Sequence, residues 1–206
     1  MITKTADSNN NDKRVSSRRW NGNYKHSSKK LSDVSKTKKL RLDLISKGVS
    51  KTLEKKRNET LQHVLTKAII WSLFMEQYPN IEIEYDIGDP DYLPDVVSVD
   101  ETLTEPLFWG ESGRMKVHKA CDLMRRYPNM DIIHARWSMD IETFAQPLLD
   151  HLKEQYDESG VDFSGRKGRF TFCSLPLDVW RFIDEETGEI HVKREDLQWK
   201  ELEFPR

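Results

Sequence analysis

The hydrophobic positions of this chain change period several times, and each change marks an element. Lys39-Leu-Arg-Leu-Asp-Leu-Ile45 alternates apolar and charged residues with period two, the pattern of a half-buried strand, and it ends at Gly48. From about Asn58 to Gln77, Leu61, Val64, Leu65, Ala68, Ile69, Leu73 and Phe74 recur at three- and four-residue intervals and predict a helix stopped by Pro79. Alternation returns in Ile81-Glu-Ile-Glu-Tyr85. Past the Asp89-Pro-Asp91 turn, two more strands are expected, over Pro94 to Val99 and over Thr104 to Glu111, the second broken by Ser112-Gly113. Val117, Ala120, Cys121 and Met124 mark a second helix closed by Tyr127-Pro128, and Met130 to Trp137 reads as a strand. Ile141, Phe144, Ala145, Leu148 and Leu152 form the stripe of a third helix running to about Asp157, followed by a polar loop from Asp162 to Arg169. Arg169 to Cys173 predicts a strand, and Trp180-Arg-Phe-Ile183 and Glu189-Ile-His-Val-Lys193 a hairpin across Asp184 to Gly188. Strands interleaved with helices predict an α/β sandwich, a mixed central β-sheet flanked by helices. No internal repeat interrupts this order.

Charge divides the chain. Residues 1–40 carry eleven Lys or Arg against three Asp, a balance of +8, so a net charge of -2 leaves about -10 for the rest. The same segment is rich in Ser, Asn and Lys, with only Trp20 and Tyr24 as aromatics, too little apolar area to offset the entropy of ordering. Residues 1–37 are therefore expected to be a disordered basic tail, and 38–206 one domain. A tail of this composition suits a nuclear localisation signal or a nucleic-acid arm, and equally a solubilising extension. Asp7 and Asp12 count against a mitochondrial presequence. No run reaches the roughly 18 apolar residues a membrane span needs, and no apolar stretch marks a secretion signal. The expected location is thus intracellular, nuclear in preference to mitochondrial or cytoplasmic, with no membrane partner. Cys121 and Cys173 lie in apolar periodic segments and read as buried, reduced thiols.

Candidate chemistry concentrates between Tyr92 and Lys119. Phosphodiester hydrolysis needs an activated water and stabilised charge on the phosphate oxygens, and Mg²⁺ or Mn²⁺ supplies both. Such a cation takes oxygen ligands and keeps several waters, so two carboxylates suffice for the protein's share. Asp95 follows a turn and Glu111 precedes a glycine break, each at a strand end where adjacent strands bring both to one edge of the sheet. Lys116 and Lys119 lie three apart on the following helix, and a lysine there is placed to orient the water. Glu84, at the end of its strand, is a further candidate ligand, although it also shares a face with Glu82. Glu59, in the first turn of the first predicted helix, is a candidate for the site and is also the residue type that a helix N-terminus favours. His63, one turn beyond it, reads as structural, and Trp109 as strand packing. Arg125, Arg126, Arg136, Arg166, Lys167 and Arg169 are the candidate phosphate-binding surface of the folded part.

At these residues the sequence resembles the PD-(D/E)XK nuclease superfamily, and within it the YaeQ family. The resemblance covers roughly residues 39 to 137. It rests on the opening strand, the helix start Asn58-Glu-Thr-Leu61, Pro94-Asp95, Phe108-Trp-Gly-Glu111 with Gly113, and Lys119-Ala-Cys121 on the basic helix. It implies a restriction-endonuclease-like sandwich, Mg²⁺ or Mn²⁺ held by Asp95 and Glu111, and action on DNA or RNA. A standard Glu-x-Lys would place lysine where this chain has Gly113. The resemblance implies that a lysine on the next helix, Lys119 by the Lys-Ala-Cys match or else Lys116, takes that role; its long flexible stem can reach back. Two functions follow as expectations: a metal-dependent nuclease, or a catalytically inactive nuclease-fold module that binds nucleic acid or docks onto a nucleoprotein assembly. No Cys/His spacing supports zinc or thiol chemistry, and Gly160 to Gly168 lacks the spacing of a phosphate-binding P-loop.

Overall fold

The structure, a computed structural model, describes residues 39–102, 105–159, 163 and 165–203. The basic tail expected over residues 1–37 lies outside the described residues. Strand β1 (Leu40–Ser46) forms an antiparallel hairpin with β2 (Val49–Lys55) across a two-residue turn at Lys47 and Gly48. Strand β2 was not expected, because Val49-Ser-Lys-Thr-Leu-Glu-Lys55 has no apolar alternation. Of its apolar residues, Leu53 is buried and Val49 is exposed.

Helix α1 (Leu61–Phe74) spans its apolar stripe and is shorter than the expected range of about Asn58 to Gln77. Asn58 has a left-handed φ of 68°, and Thr60 caps the helix by accepting a hydrogen bond from the His63 amide at 3.2 Å. Glu59 therefore precedes the helix rather than lying in its first turn. Most of α1 is buried, as expected of a helix that packs between the hairpin and a sheet.

Six strands make that sheet: β3 (Glu82–Ile83), β4 (Val96–Val99), β5 (Pro106–Ser112), β6 (Asp131–Trp137), β7 (Phe170–Leu175) and β8 (Gln198–Glu201), in that spatial order. The centre, β5-β6-β7, is parallel, and the outer pairs are antiparallel. The parallel steps are bridged by α2 (Val117–Arg126) and α3 (Ile141–Ser159). Side chains alternate between two apolar layers. Phe108, Ile133, Ala135 and Cys173 face α1 and the hairpin; Trp109, Ile132, Phe170 and Phe172 face α2 and α3. The result is a mixed sheet covered on both faces. Helix α1 approaches closely over β5 because position 110 is glycine: a Cβ there would come within 2.9 Å of Ile70 Cγ2.

The hairpin expected across residues 184–188 is shorter than its pattern suggests: the first arm is a 3₁₀ turn over Val179–Phe182, and the arms pair only around Ile183 and Ile190, where Asp184 donates to the Glu189 carbonyl and His191 to that of Phe182. The backbone of the second arm also pairs with β1, where Ile45 donates to the Gly188 carbonyl and accepts from the Ile190 amide. The sequence pattern also passes over β8, whose Gln-Trp-Lys-Glu composition is that of an exposed edge strand. Both cysteines are buried free thiols. Among the described residues, no helix is long and apolar enough to cross a membrane.

Candidate active site

The antiparallel register of β4 and β5 sets Val96 opposite Gly110, so the next residues outward, Asp95 and Glu111, emerge at the same end of the sheet. Asp95 is fixed there by the Ser112 amide, which donates to its Oδ2 at 2.7 Å. Glu111 is held from two sides: Trp109 Nε1 donates to its Oε2 at 3.1 Å, and Lys119 Nζ at 2.7 Å. Burial pushes the Glu111 carboxyl above its ordinary range and the Asp95 charge pushes the same way, while Lys119 and Trp109 pull it down without fully compensating. Lys119 is in the first turn of α2, and its ammonium lies 5.3 Å from the ring centre of Tyr92 and 5.5 Å from that of Trp109. These cation-π contacts hold the lysine over the end of β5.

A second set of charges adjoins the first from α1. His63 and Lys67 are four residues apart and so lie on one side of α1, and Glu59, just before the helix, meets both of them. Lys67 is 3% exposed, and its ammonium meets the carboxylates of Glu59 and Glu84, each at 2.5 Å. Burial alone would lower the Lys67 pKa; the two carboxylates outweigh it and raise it. Glu84 also accepts from Lys56 at 2.6 Å, so, despite burial, its two ammonium partners hold its pKa below the ordinary range. Its φ of 54° turns it off the strand, separating it from Glu82, which pairs with Lys51. Two lysines thus hold the Glu84 carboxylate, while its amide donates to the Asp95 carbonyl at 2.9 Å.

His63 joins the two sets. Its Nε2 lies 3.4 Å from Asp95 Oδ1 and 3.6 Å from Glu59 Oε1, and its Nδ1 lies 3.0 Å from Ser112 Oγ. Ser112 Oγ also donates to the His63 carbonyl at 3.2 Å, which leaves the hydroxyl oxygen to accept from Nδ1 and turns Nε2 toward the carboxylates. Lys67 is the site residue that sequence reasoning passed over, and His63 one that it read as structural. Their signal is the four-residue spacing from Glu59; Ser112, acting through its amide and hydroxyl, leaves no comparable trace.

Gly113 has a φ of 87°, donates its amide to the Ala135 carbonyl, and accepts at its own carbonyl from His134 Nε2 at 2.8 Å. A side chain at this position would need a left-handed backbone that most residues adopt only under strain. That is a physical reason for glycine, and no lysine, two residues after Glu111. Lys116 is exposed at the N-cap of α2 and makes no side-chain capping bond there. The structure therefore brings together Asp95, Glu111 and Lys119, links Glu59 and Glu84 to them through Lys67 and His63, and sets Lys116 apart.

Of the candidate phosphate-binding cations, three are engaged within the fold. Arg126 pairs with Asp89, Asp91 and Asp122, and Arg169 with Asp131. Arg166 donates to the carbonyls of Met124, Tyr127 and Met130, closing the C-terminal end of α2. Among the described residues, no three His, Cys, Asp or Glu side chains are grouped to hold a metal ion by themselves. Asp95 and Glu111 form a two-carboxylate set, which suits a hard divalent cation that keeps most of its waters. The raised Glu111 pKa is also the state that a nearby cation relieves.

The chain matches no family profile. It matches none of the curated proteins. Among solved structures it is similar to the YaeQ protein from Pseudomonas syringae, with 13% identity over 73% of this chain and 78% of that one and a TM-score of 0.49. It is also similar to the YaeQ protein from Xanthomonas axonopodis pv. citri, with 14% identity over 65% of this chain and 70% of that one and a TM-score of 0.40.

Proposed function

We propose that this chain is a Mg²⁺- or Mn²⁺-dependent nuclease of the YaeQ-like branch of the restriction-endonuclease-like fold, hydrolysing phosphodiester bonds of DNA or RNA. The observation that carries this reading is the meeting of Asp95 and Glu111 at one end of the sheet, with the Lys119 ammonium 2.7 Å from Glu111. Asp95 and Glu111 would hold the cation. When bound, it would make a coordinated water acidic near neutral pH and offset charge on the phosphate oxygens. Lys119, steadied over Tyr92 and Trp109, donates hydrogen bonds into the same space and is the group that orients a water or a phosphate oxygen. His63 Nε2 faces Asp95 Oδ1 at 3.4 Å, while the Ser112 amide binds the other carboxylate oxygen.

The test is cleavage of single-stranded DNA, duplex DNA and RNA with Mg²⁺ or Mn²⁺, in the wild type and in Asp95→Ala and Glu111→Ala. The expected result is activity abolished by EDTA and reduced at least about a hundredfold in each variant, the scale of losing a group that stabilises transition-state charge. Equal rates in all three proteins would sink the proposal.

One observation supports a second reading, a catalytically inactive module that binds nucleic acid or docks onto a nucleoprotein assembly. Both carboxylates already have protein partners: Lys119 and Trp109 on Glu111, the Ser112 amide on Asp95. On that reading no metal-dependent cleavage is found, and a stable partner is recovered with the full chain and lost on deletion of residues 1–38. Recovery undiminished by the deletion would remove the tail from that role.

A further inference from the structure

A cavity of about 560 Å³ opens beside this site, between the loop entering α2, the end of β6 and the first half of α3. It lies at the C-terminal ends of parallel strands β5 and β6, where open α/β sheets receive ligands. Its volume is within the range of small-molecule sites.

The lining is chemically one-sided. Arg114, Lys116, His118 and Arg136 contribute to it, and among the described residues no Asp or Glu does. By contrast, Arg126 is matched with three aspartates and Lys67 with two glutamates. Cations gathered on one concavity without an acid repel one another, and an anion relieves them.

Beneath these charges the floor is aromatic. Phe144 stands edge-on to His134 at 5.3 Å between ring centres and edge-on to Phe172 at 5.3 Å. His134 adds no charge, because burial, helped by Arg136 and Lys119, lowers its pKa to about 4 although its bond to Gly113 opposes this. In the α3 wall, Pro147 has no amide to give the Thr143 carbonyl one helical turn back, so that wall carries an acceptor suited to a ligand hydroxyl. An anionic group, a flat apolar body and a hydroxyl are together the features of a nucleotide.

We propose that this cavity holds the terminal nucleotide of a nucleic-acid strand, with its phosphate among Arg114, Lys116 and Arg136 and its base against the apolar wall of Met139, Leu148 and the edge of Phe144. The inference deepens the nuclease reading and rests on it for the identity of the strand. Lys116, in the cavity, and Lys119, on Glu111, are three residues apart along α2, about 4.5 Å of helical rise. A nucleotide seated here lies next to the candidate reacting site.

The test is calorimetric titration of the full chain in EDTA with adenosine monophosphate, adenosine and inorganic phosphate. The monophosphate is expected to bind at least about tenfold tighter than either part alone, and at least about tenfold weaker to Arg114→Ala and Arg136→Ala, with thermal unfolding unchanged in both. Oligonucleotides carrying a 5′- or a 3′-terminal phosphate then compete with it, and one of the two should outcompete the dephosphorylated strand. Absence of monophosphate binding, binding indifferent to Arg136→Ala, inorganic phosphate binding as tightly, or no advantage for either terminal phosphate would overturn the proposal. The readout needs neither metal nor cleavage, so an inactive chain leaves it intact and the two proposals fail separately.

Discussion

Lys119 Nζ lies 2.7 Å from Glu111 Oε2, with both side chains largely shielded, at 14% and 12% exposure. Yet the Glu111 pKa stays above its ordinary range, since burial and the Asp95 charge outweigh what Lys119 returns. The pair is under-compensated, a condition more often found at sites that handle charge than at ion pairs kept for structure.

Removing the ammonium should therefore expose the cost of Glu111. Lys119→Met keeps the apolar stem over Tyr92 and Trp109 and deletes the charge. It is expected to lower the free energy of unfolding by about 2 kcal/mol at neutral pH, within the range for leaving a buried charge short of its partner. Adding Glu111→Gln should recover at least half of that loss. Urea denaturation of both single variants and the double variant measures the coupling; a value near zero would show that the ion pair is incidental.

At Gly113 the expected loss comes from the backbone. A Cβ would meet only His63 Nδ1, at an ordinary 3.6 Å, so space is available, but the φ of 87° is one that side chains resist. Gly113→Ala and Gly113→Lys should each cost about 1–2 kcal/mol, and Gly113→Asn less, because asparagine tolerates the left-handed region best. Denaturation midpoints of the three variants check the ranking. A Gly113→Lys protein as stable as the wild type would mean that conformation does not exclude lysine here.

Asp95, Glu111 and Lys119 are legible in the sequence because each sits at a change of period, after a turn, before a glycine break and at the start of a helical stripe. Lys67 is not, since a lysine between Thr66 and Ala68 reads as an ordinary solvated residue. Its partner Glu84 is seventeen residues on and reaches it only after a left-handed residue turns the chain. Strands β2 and β8 are hidden for a related reason. A hairpin arm and a sheet edge are stabilised by backbone pairing with neighbours, so their side chains need not alternate. The central strands show the opposite case, where Phe108, Trp109, Ile132 and Ile133 must fill two apolar layers and the pattern is written in full.

The buried ammonium of Lys67 gives a sharper prediction than its exposed neighbours do. It is the shared partner of Glu59 and Glu84, and Lys67→Met would leave the Glu59 carboxylate, at 11% exposure, without its ammonium. A loss of about 3–5 kcal/mol is expected, the range for breaking a buried ion pair from one side. Lys56→Ala, which removes an ammonium that is 65% exposed, should cost no more than about 1 kcal/mol. Thermal unfolding of the two variants at neutral pH distinguishes them, and equal losses would contradict the burial argument.

His134 sets a pH dependence whose sign follows from its surroundings. Burial, with the charges of Arg136 and Lys119, lowers its pKa to about 4, while the hydrogen bond to the Gly113 carbonyl opposes the shift without reversing it. Between the unfolded-state value of about 6.5 and the folded-state value, the unfolded chain binds a proton that the folded chain does not, so stability falls as the pH is lowered through that window. The full difference is about 3 kcal/mol for this one residue. His134→Gln keeps an N–H able to donate to Gly113 and removes the titration. Its unfolding free energy should therefore be flatter than that of the wild type from pH 6.5 down to about 4, while other groups contribute alike to both proteins. Urea denaturation of the pair across that range provides the measurement. Parallel curves would mean that His134 is protonated in the fold as readily as outside it, and that Nε2 does not hold Gly113 in the way the structure places it.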